Sequence, residues 1–131
     1  MTSERTTIVV AADGAWIRAQ VEAAFASETT EVISLTRGQD VRATVGREHP
    51  DLVILDLQIA NMGGIAVAID LHLEAEAGRI PDVPILLLLD REHDRFLAKR
   101  AAADAELVKP IDAATLRRSA RPFLLHGATT T

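Results

Sequence analysis

The chain has 131 residues, 48% of them hydrophobic, with a net charge of -5 at pH 7; the length suits one domain around one core, and the acidic balance argues against binding nucleic acid by neutralising phosphates. It has no cysteine, which excludes disulfides, thiolate metal sites and a thiol nucleophile, and 3% aromatic residues give little to stack on unpaired bases. No apolar run approaches the roughly 18 residues of a membrane span, and the opening MTSERTT lacks an apolar signal region, so a cytoplasmic protein with no membrane or nucleic-acid partner is expected.

Residues 8–12, Ile-Val-Val-Ala-Ala, form a short buried run that Asp13-Gly14 breaks. Ile17, Val21, Ala24 and Phe25 then fall at helical spacing over 15–26. Residues 31–35 alternate polar and apolar, with Val32, Ile33 and Leu35, which suits a strand nearer an edge. A weaker helix over 39–48 stops at His49-Pro50. Leu52 to Leu55 is a second continuous apolar run, and it ends on Asp56. Asn61-Met62-Gly63-Gly64 reads as a loop, 65–77 as a helix with Val67, Ala68, Leu71 and Ala75 on its apolar side, and Gly78 as its stop. Ile85 to Leu89 is a third apolar strand, 92–103 an Ala-rich helix, and 106–108 a last strand before Lys109-Pro110. Asp112 suits the N-cap of a final helix through about Leu125, and the tail HGATTT is expected to be disordered.

This is five repeats of strand then helix. Apolar strands without alternation are buried on both faces, as in a parallel sheet covered by helices, joined by right-handed crossovers. The expected fold is α/β: a flavodoxin-like, doubly wound five-stranded parallel sheet of order 2-1-3-4-5 with five helices. One domain is expected over 1–131, its core over about 6–125 between short disordered tails, with no linker and no low-complexity segment.

Ligands of such sheets bind at the carboxyl ends of the strands, near the switch in strand order. Strand 1 ends at Asp13, strand 3 at Asp56, strand 4 at Leu89-Asp90 and strand 5 at Lys109-Pro110. The strand order makes strands 1 and 3 neighbours, so Asp13 and Asp56 should face each other. Two adjacent carboxylates repel unless a cation or a shared proton intervenes. Mg2+ takes one or two carboxylates, a carbonyl oxygen and waters, and the Gln58 backbone carbonyl is placed to be the third protein ligand. Lys109 could pair with Asp56 or with an anion bound to it.

With VVAAD at 9–13, LVILDLQIANMGG at 52–64 and LVKP at 107–110, the chain resembles the receiver domains of two-component response regulators from about Thr6 to Leu125. The resemblance implies that Asp56 is a phosphoacceptor, taking a phosphoryl group from a histidine kinase or phosphotransfer partner. It implies that Asp13, Asp56 and the Gln58 carbonyl bind Mg2+, that Lys109 contacts the phosphoryl oxygens, and that the peptide before Pro110 is cis. Such a protein is not an enzyme beyond accepting that group. With a short tail after the last helix, a stand-alone receiver is expected, signalling through an unidentified downstream protein or a homodimer built on helix 4, strand 5 and helix 5.

The pattern also departs from the family. Ala12 stands where an acidic pair is usual, Leu89 where strand 4 usually ends in Ser or Thr, Glu106 where strand 5 usually carries an aromatic switch residue, and Ala60 where a Pro is usual. Mg2+ binding should therefore be weak. The alternative reading is a receiver fold that works as a phosphorylation-independent adaptor.

Simpler roles compete for several of these residues. Asp56 alone could be a turn residue, Lys109 part of a plain Lys-Pro turn, and Asp13 a cap of helix 1. Trp16 should pack partly beside the site. Glu106 should be solvated, in preference to a pair with a basic residue of helix 4 such as Arg100. His49, His72, His93 and His126 lack a metal-ligand spacing and are expected at the surface, and Arg117, Arg118 and Arg121 suit a solvated helix face. A haloacid-dehalogenase phosphatase would carry a second Asp where Gln58 stands, and a flavodoxin would want a hydroxyl-rich phosphate loop where ADGAWIR stands.

Overall fold

The computed structural model describes residues 5–124. Five strands, β1 (Thr6–Ala11), β2 (Thr30–Leu35), β3 (Leu52–Asp56), β4 (Ile85–Leu89) and β5 (Ala105–Val108), alternate with helices α1 (Ala15–Ala24), α2 (Val41–Glu48), α3 (Gly64–Glu76), α4 (Arg95–Arg100) and α5 (Ala113–Leu124). All strand pairs are parallel, in the order β2-β1-β3-β4-β5. Fold class and strand order are as the apolar runs predict. Leu125, the expected end of the last helix, and the tail at 126–131 lie outside the described residues.

Burial explains why the runs are continuous. Every residue of β3 and β4 is buried, whereas β2 and β5 are mostly half-buried edge strands. Val53, Leu55, Ile85, Leu87 and Leu89 face one side of the sheet, with Val41, Val45, Val67, Leu71 and Ala98 from α2, α3 and α4. Leu52, Ile54, Leu86 and Leu88 face the other, with Ile17, Val21, Leu116 and Ala120 from α1 and α5. Each fully buried Leu or Ile contributes about 1.5–3 kcal/mol of transfer free energy, so two apolar faces on the central strands decide the fold.

Element boundaries differ mainly in the fourth helix. It is a 3-10 turn, Glu92–Asp94, followed by only six α-helical residues, and it ends three residues before the expected Ala103. Ala102 takes a left-handed φ of 57°, and the Ala103 N–H returns to the Ala98 carbonyl at 3.1 Å. This is a C-terminal helix stop made without glycine, which alanine content alone does not signal. Asp112 does cap α5: its Oδ1 accepts from the Thr115 N–H and from the Thr115 hydroxyl, both at 2.8 Å. Asp13 does not cap α1, whose N-cap is Gly14 with no side-chain cap bond.

One glycine positions the top of the sheet. A Cβ on Gly64, the first residue of α3, would lie 2.3 Å from the carbonyl oxygen of Asp56 and 3.2 Å from the Cα of Leu57. The N-terminus of α3 therefore sits directly on the chain leaving β3.

Candidate functional site

The strand register brings the predicted residues to one end of the sheet. Ala11 pairs with Leu55, Asp56 with Leu88, and Leu89 with Val108. Asp56 is thus the last residue of β3, with β1 on one side and β4 on the other. Its side chain is only 2% exposed. A buried carboxylate needs charge and hydrogen-bond partners, and Asp56 Oδ1 has both: Lys109 Nζ donates to it at 2.6 Å and the Gln58 N–H at 3.1 Å. The other carboxylate oxygen makes neither contact.

Lys109 follows β5 directly, and its N–H bonds the Leu89 carbonyl at 2.8 Å, which fixes where the side chain starts. The Lys109-Pro110 peptide is cis, as expected. The ammonium reaches a second carboxylate, Asp90 Oδ1, at 2.8 Å. Burial works to lower the Lys109 pKa, but hydrogen bonds to Asp56 and Asp90 outweigh it and hold the group above its ordinary value. Asp90 moves the other way, held below the usual carboxylate range by Lys109 first and by the Gln58 side-chain amide second.

Asp90 is the residue that sequence reasoning missed as a site member. Leu89, the position read as the lost hydroxyl, is fully buried in the apolar cluster under α3 and α4. The polar group that strand 4 offers is one residue later. Gln58 Nε2 donates to Asp90 Oδ2 at 3.1 Å, so Asp90 is held through both oxygens. The available signal was the Leu89-Asp90 strand end itself, a carboxylate beside Lys109 in a five-stranded sheet of this order.

The β1 side holds the other predicted residues. Asp13 is exposed and Ala12 fully buried. The Gln58 carbonyl, predicted as a metal ligand, accepts the Asp13 N–H at 2.9 Å, so one of its two lone pairs is already used. Arg18 Nη1 donates to the backbone carbonyls of Ala12 at 2.7 Å and Asp13 at 3.0 Å, holding a cation on the backbone at the end of β1. Trp16 is 58% exposed and lies over Gly14, where an added Cβ would stand 3.1 Å from its Nε1. Among the described residues no three His, Cys, Asp or Glu side chains cluster as a metal-holding group. The donors that remain are all hard oxygens, which fits Mg2+ with most of its waters kept.

Glu106 is a correction. It is half-buried and paired, with a basic residue of helix 4 other than Arg100: Arg95 Nη1 donates to Glu106 Oε2 at 2.6 Å, while Arg95 Nε donates to Glu92 at 2.8 Å. Arg95 is the first residue of α4, so its side chain leans towards β5, whereas Arg100 sits at the far end of the helix. The pair joins α4 to the strand position where an aromatic was expected. His49 and His93 are exposed as read, and His72 is half-buried, with Nε2 3.0 Å from the Ala102 carbonyl. Arg117, Arg118 and Arg121 are exposed along α5, and His126 lies outside the described residues. No helix among the described residues is long and apolar enough to cross a membrane.

Known proteins agree with this geometry. The family model of the response regulator receiver domain matches residues 8–121. Protein PilH of Pseudomonas aeruginosa is 32% identical over 94 residues, covering 72% of this chain and 77% of that protein. A protein named "Probable transcriptional regulator ycf27" of Porphyridium aerugineum is 32% identical over 123 residues, 92% of this chain and 49% of its own length. The chain thus spans about half the length of the first curated relatives it matches. Among solved structures, the chemotaxis response regulator CheY4 of Vibrio cholerae superposes with a TM-score of 0.79 at 21% identity, covering 92% of this chain and 99% of that one. The receiver domain of sensor histidine kinase PA1611 from Pseudomonas aeruginosa, which holds a magnesium ion in its active-site cleft, gives a TM-score of 0.77 at 20% identity, covering 92% and 98%. The matched sequence, the strand order and the Asp–Lys pair at the top of the sheet agree: this chain belongs to the response regulator receiver domain family of two-component signal transduction.

Proposed function

We propose that this chain accepts a phosphoryl group on Asp56 from a phosphohistidine of a histidine kinase or phosphotransfer protein, and signals by protein–protein contact. The observation that carries this reading is the buried Asp56 carboxylate held by Lys109 at 2.6 Å. A carboxylate oxygen of Asp56 attacks phosphorus, the P–O bond forms as the P–N bond breaks, and the imidazole leaves with the bonding pair and takes up a proton. Lys109 turns its ammonium to the new phosphoryl oxygens, and the Gln58 N–H keeps the carboxyl group in place. Mg2+ held by Asp13, Asp56 and the Gln58 carbonyl would offset charge on the phosphoryl oxygens. Output would run through α4, β5 and α5, where Phe96 is 53% exposed and Arg117, Arg118 and Arg121 are exposed. The Arg95–Glu106 pair favours a second reading, a fixed contact face that serves as an adaptor without phosphorylation.

Acetyl phosphate with Mg2+, read by intact mass, separates the two. One phosphoryl adduct on the wild type and none on Asp56→Asn is expected; no adduct at saturating Mg2+ would select the adaptor.

Ala12→Asp tests the cation site. Ala12 is fully buried on the α1 and α5 side, so a carboxylate there without a counter-ion should cost about 3 kcal/mol or more. Without Mg2+ the variant should melt below the wild type. Added Mg2+ should raise its Tm by more than it raises the wild type's, because a ligand stabilises by RT ln(1 + [L]/Kd). Equal Mg2+ affinity in the two proteins would place residue 12 outside the cation site.

A further inference from the structure

The strand-4 end of this site presents a carboxylate to the lysine that is to hold the phosphoryl group. Lys109 Nζ lies 2.6 Å from Asp56 Oδ1 and 2.8 Å from Asp90 Oδ1, so one ammonium serves two anions. Asp90 is held on its other oxygen by Gln58 Nε2 at 3.1 Å. It is also the first residue after β4 and leads into a short, internally bonded segment. The Arg91 N–H donates to Asp94 Oδ2, the Asp94 N–H donates to the Arg91 carbonyl, and Asp94 is buried. Asp90 is thus joined through Arg91 to the start of α4.

A phosphoryl group on Asp56 changes the balance around Lys109. It brings about two negative charges and several strong acceptor oxygens. The ammonium has three donors, and it can follow the larger charge. Asp90 then loses its cation and faces a multiply charged neighbour. An ionised carboxylate has no hydrogen to donate, so it cannot turn to the phosphoryl oxygens as a hydroxyl could. Two like charges that had shared one ammonium repel once it leaves one of them.

We propose that Asp90 is a resident anion that occupies Lys109 while Asp56 is unmodified and is expelled, together with the 90–94 segment, when a phosphoryl group reaches Asp56. The proposal rests on the phosphoacceptor reading and adds the step by which the site reports its state: release at the end of β4, where a hydroxyl would be drawn in. It makes Asp90 a positioning residue for Lys109 and a competitor of the phosphoryl group.

The test uses beryllofluoride with Mg2+ as the phosphoryl analogue, titrated into the wild type, Asp90→Asn, Asp90→Ala and Asp56→Asn, with backbone amide spectra as readout. Asparagine keeps the shape at position 90 and loses the charge; the alanine variant guards against an amide that merely substitutes for the carboxylate. Removing the competing charge-assisted bond should tighten binding about tenfold in both variants. In the wild type the amides of 90–94 should shift on binding, and in both variants most of that shift should vanish. Tight binding by the Asp90 variants with none by the wild type would also support the proposal. Equal affinity and equal shifts at 90–94 in all proteins that keep Asp56 would overturn the role of Asp90 and leave Asp56 as the acceptor. No binding by the wild type or by either Asp90 variant would overturn both.

Discussion

Gly64→Ala should lower stability by about 3 kcal/mol and disable the Asp56 site, although Gly64 carries no chemistry. In a helix, alanine normally gains about 1 kcal/mol over glycine. Here the added Cβ would sit 2.3 Å from the Asp56 carbonyl oxygen and 3.0 Å from the carbon that bears it. Those are backbone atoms of the last residue of β3, and they cannot rotate aside. Either α3 lifts from the sheet or the end of β3 shifts, and the second outcome moves the Asp56 carboxylate away from Lys109. Gly46→Ala in α2 is the matched control, because its Cβ would meet only the Ile80 Cγ2 at 3.4 Å. Urea unfolding should show the control at or above wild-type stability and Gly64→Ala well below it. Beryllofluoride binding should fall in Gly64→Ala alone. Equal stability of the two variants would mean that α3 has room to move.

The sequence makes the sheet legible because its signal is one-dimensional. Leu52 to Leu55 and Ile85 to Leu89 are apolar at every position, only strands covered on both faces need that, and the order of the runs leaves few ways to arrange them. Asp56 and Lys109 are legible for a related reason: each is a charge placed where an apolar strand stops. What the sequence hides is side-chain reach across the loops. Asp90 stands one residue beyond Leu89, and only the folded strand ends show that its side chain, and not that of Leu89, meets the Lys109 ammonium. Arg18 and Ala12 are six residues apart, and their contact depends on how α1 leaves the sheet. Helix 4 offered Glu106 three basic partners, Arg95, Lys99 and Arg100, and the structure selects the one at its start. Such contacts follow from where short, irregular connections place their first residue, which periodicity does not encode.

Lys109→Met should cost about 3 kcal/mol at pH 7, the lower end of what breaking a buried ion pair costs, since the lysine end of this pair keeps some solvent contact. The cost arises from what is left behind: Asp56, 2% exposed, would keep the Gln58 N–H but lose its cation. In an Asp56→Asn background the same substitution should cost far less, because a neutral amide needs no counter-charge, and the coupling across the cycle should reach about 1.5–3 kcal/mol. The pH dependence has a definite sign. The Lys109 pKa is raised above its ordinary 10.5 in the folded protein, despite burial, by Asp56 and Asp90. Its contribution is therefore complete below about pH 10.5 and is lost as pH rises through the higher folded value. The stability difference between the wild type and Lys109→Met should stay flat from neutral pH to about 10 and shrink above that. Chemical unfolding at a series of pH values measures both quantities. If the cost of Lys109→Met were the same with Asp56 or Asn at position 56, the lysine would be serving Asp90 alone, and the buried Asp56 carboxyl would depend on some partner other than Lys109.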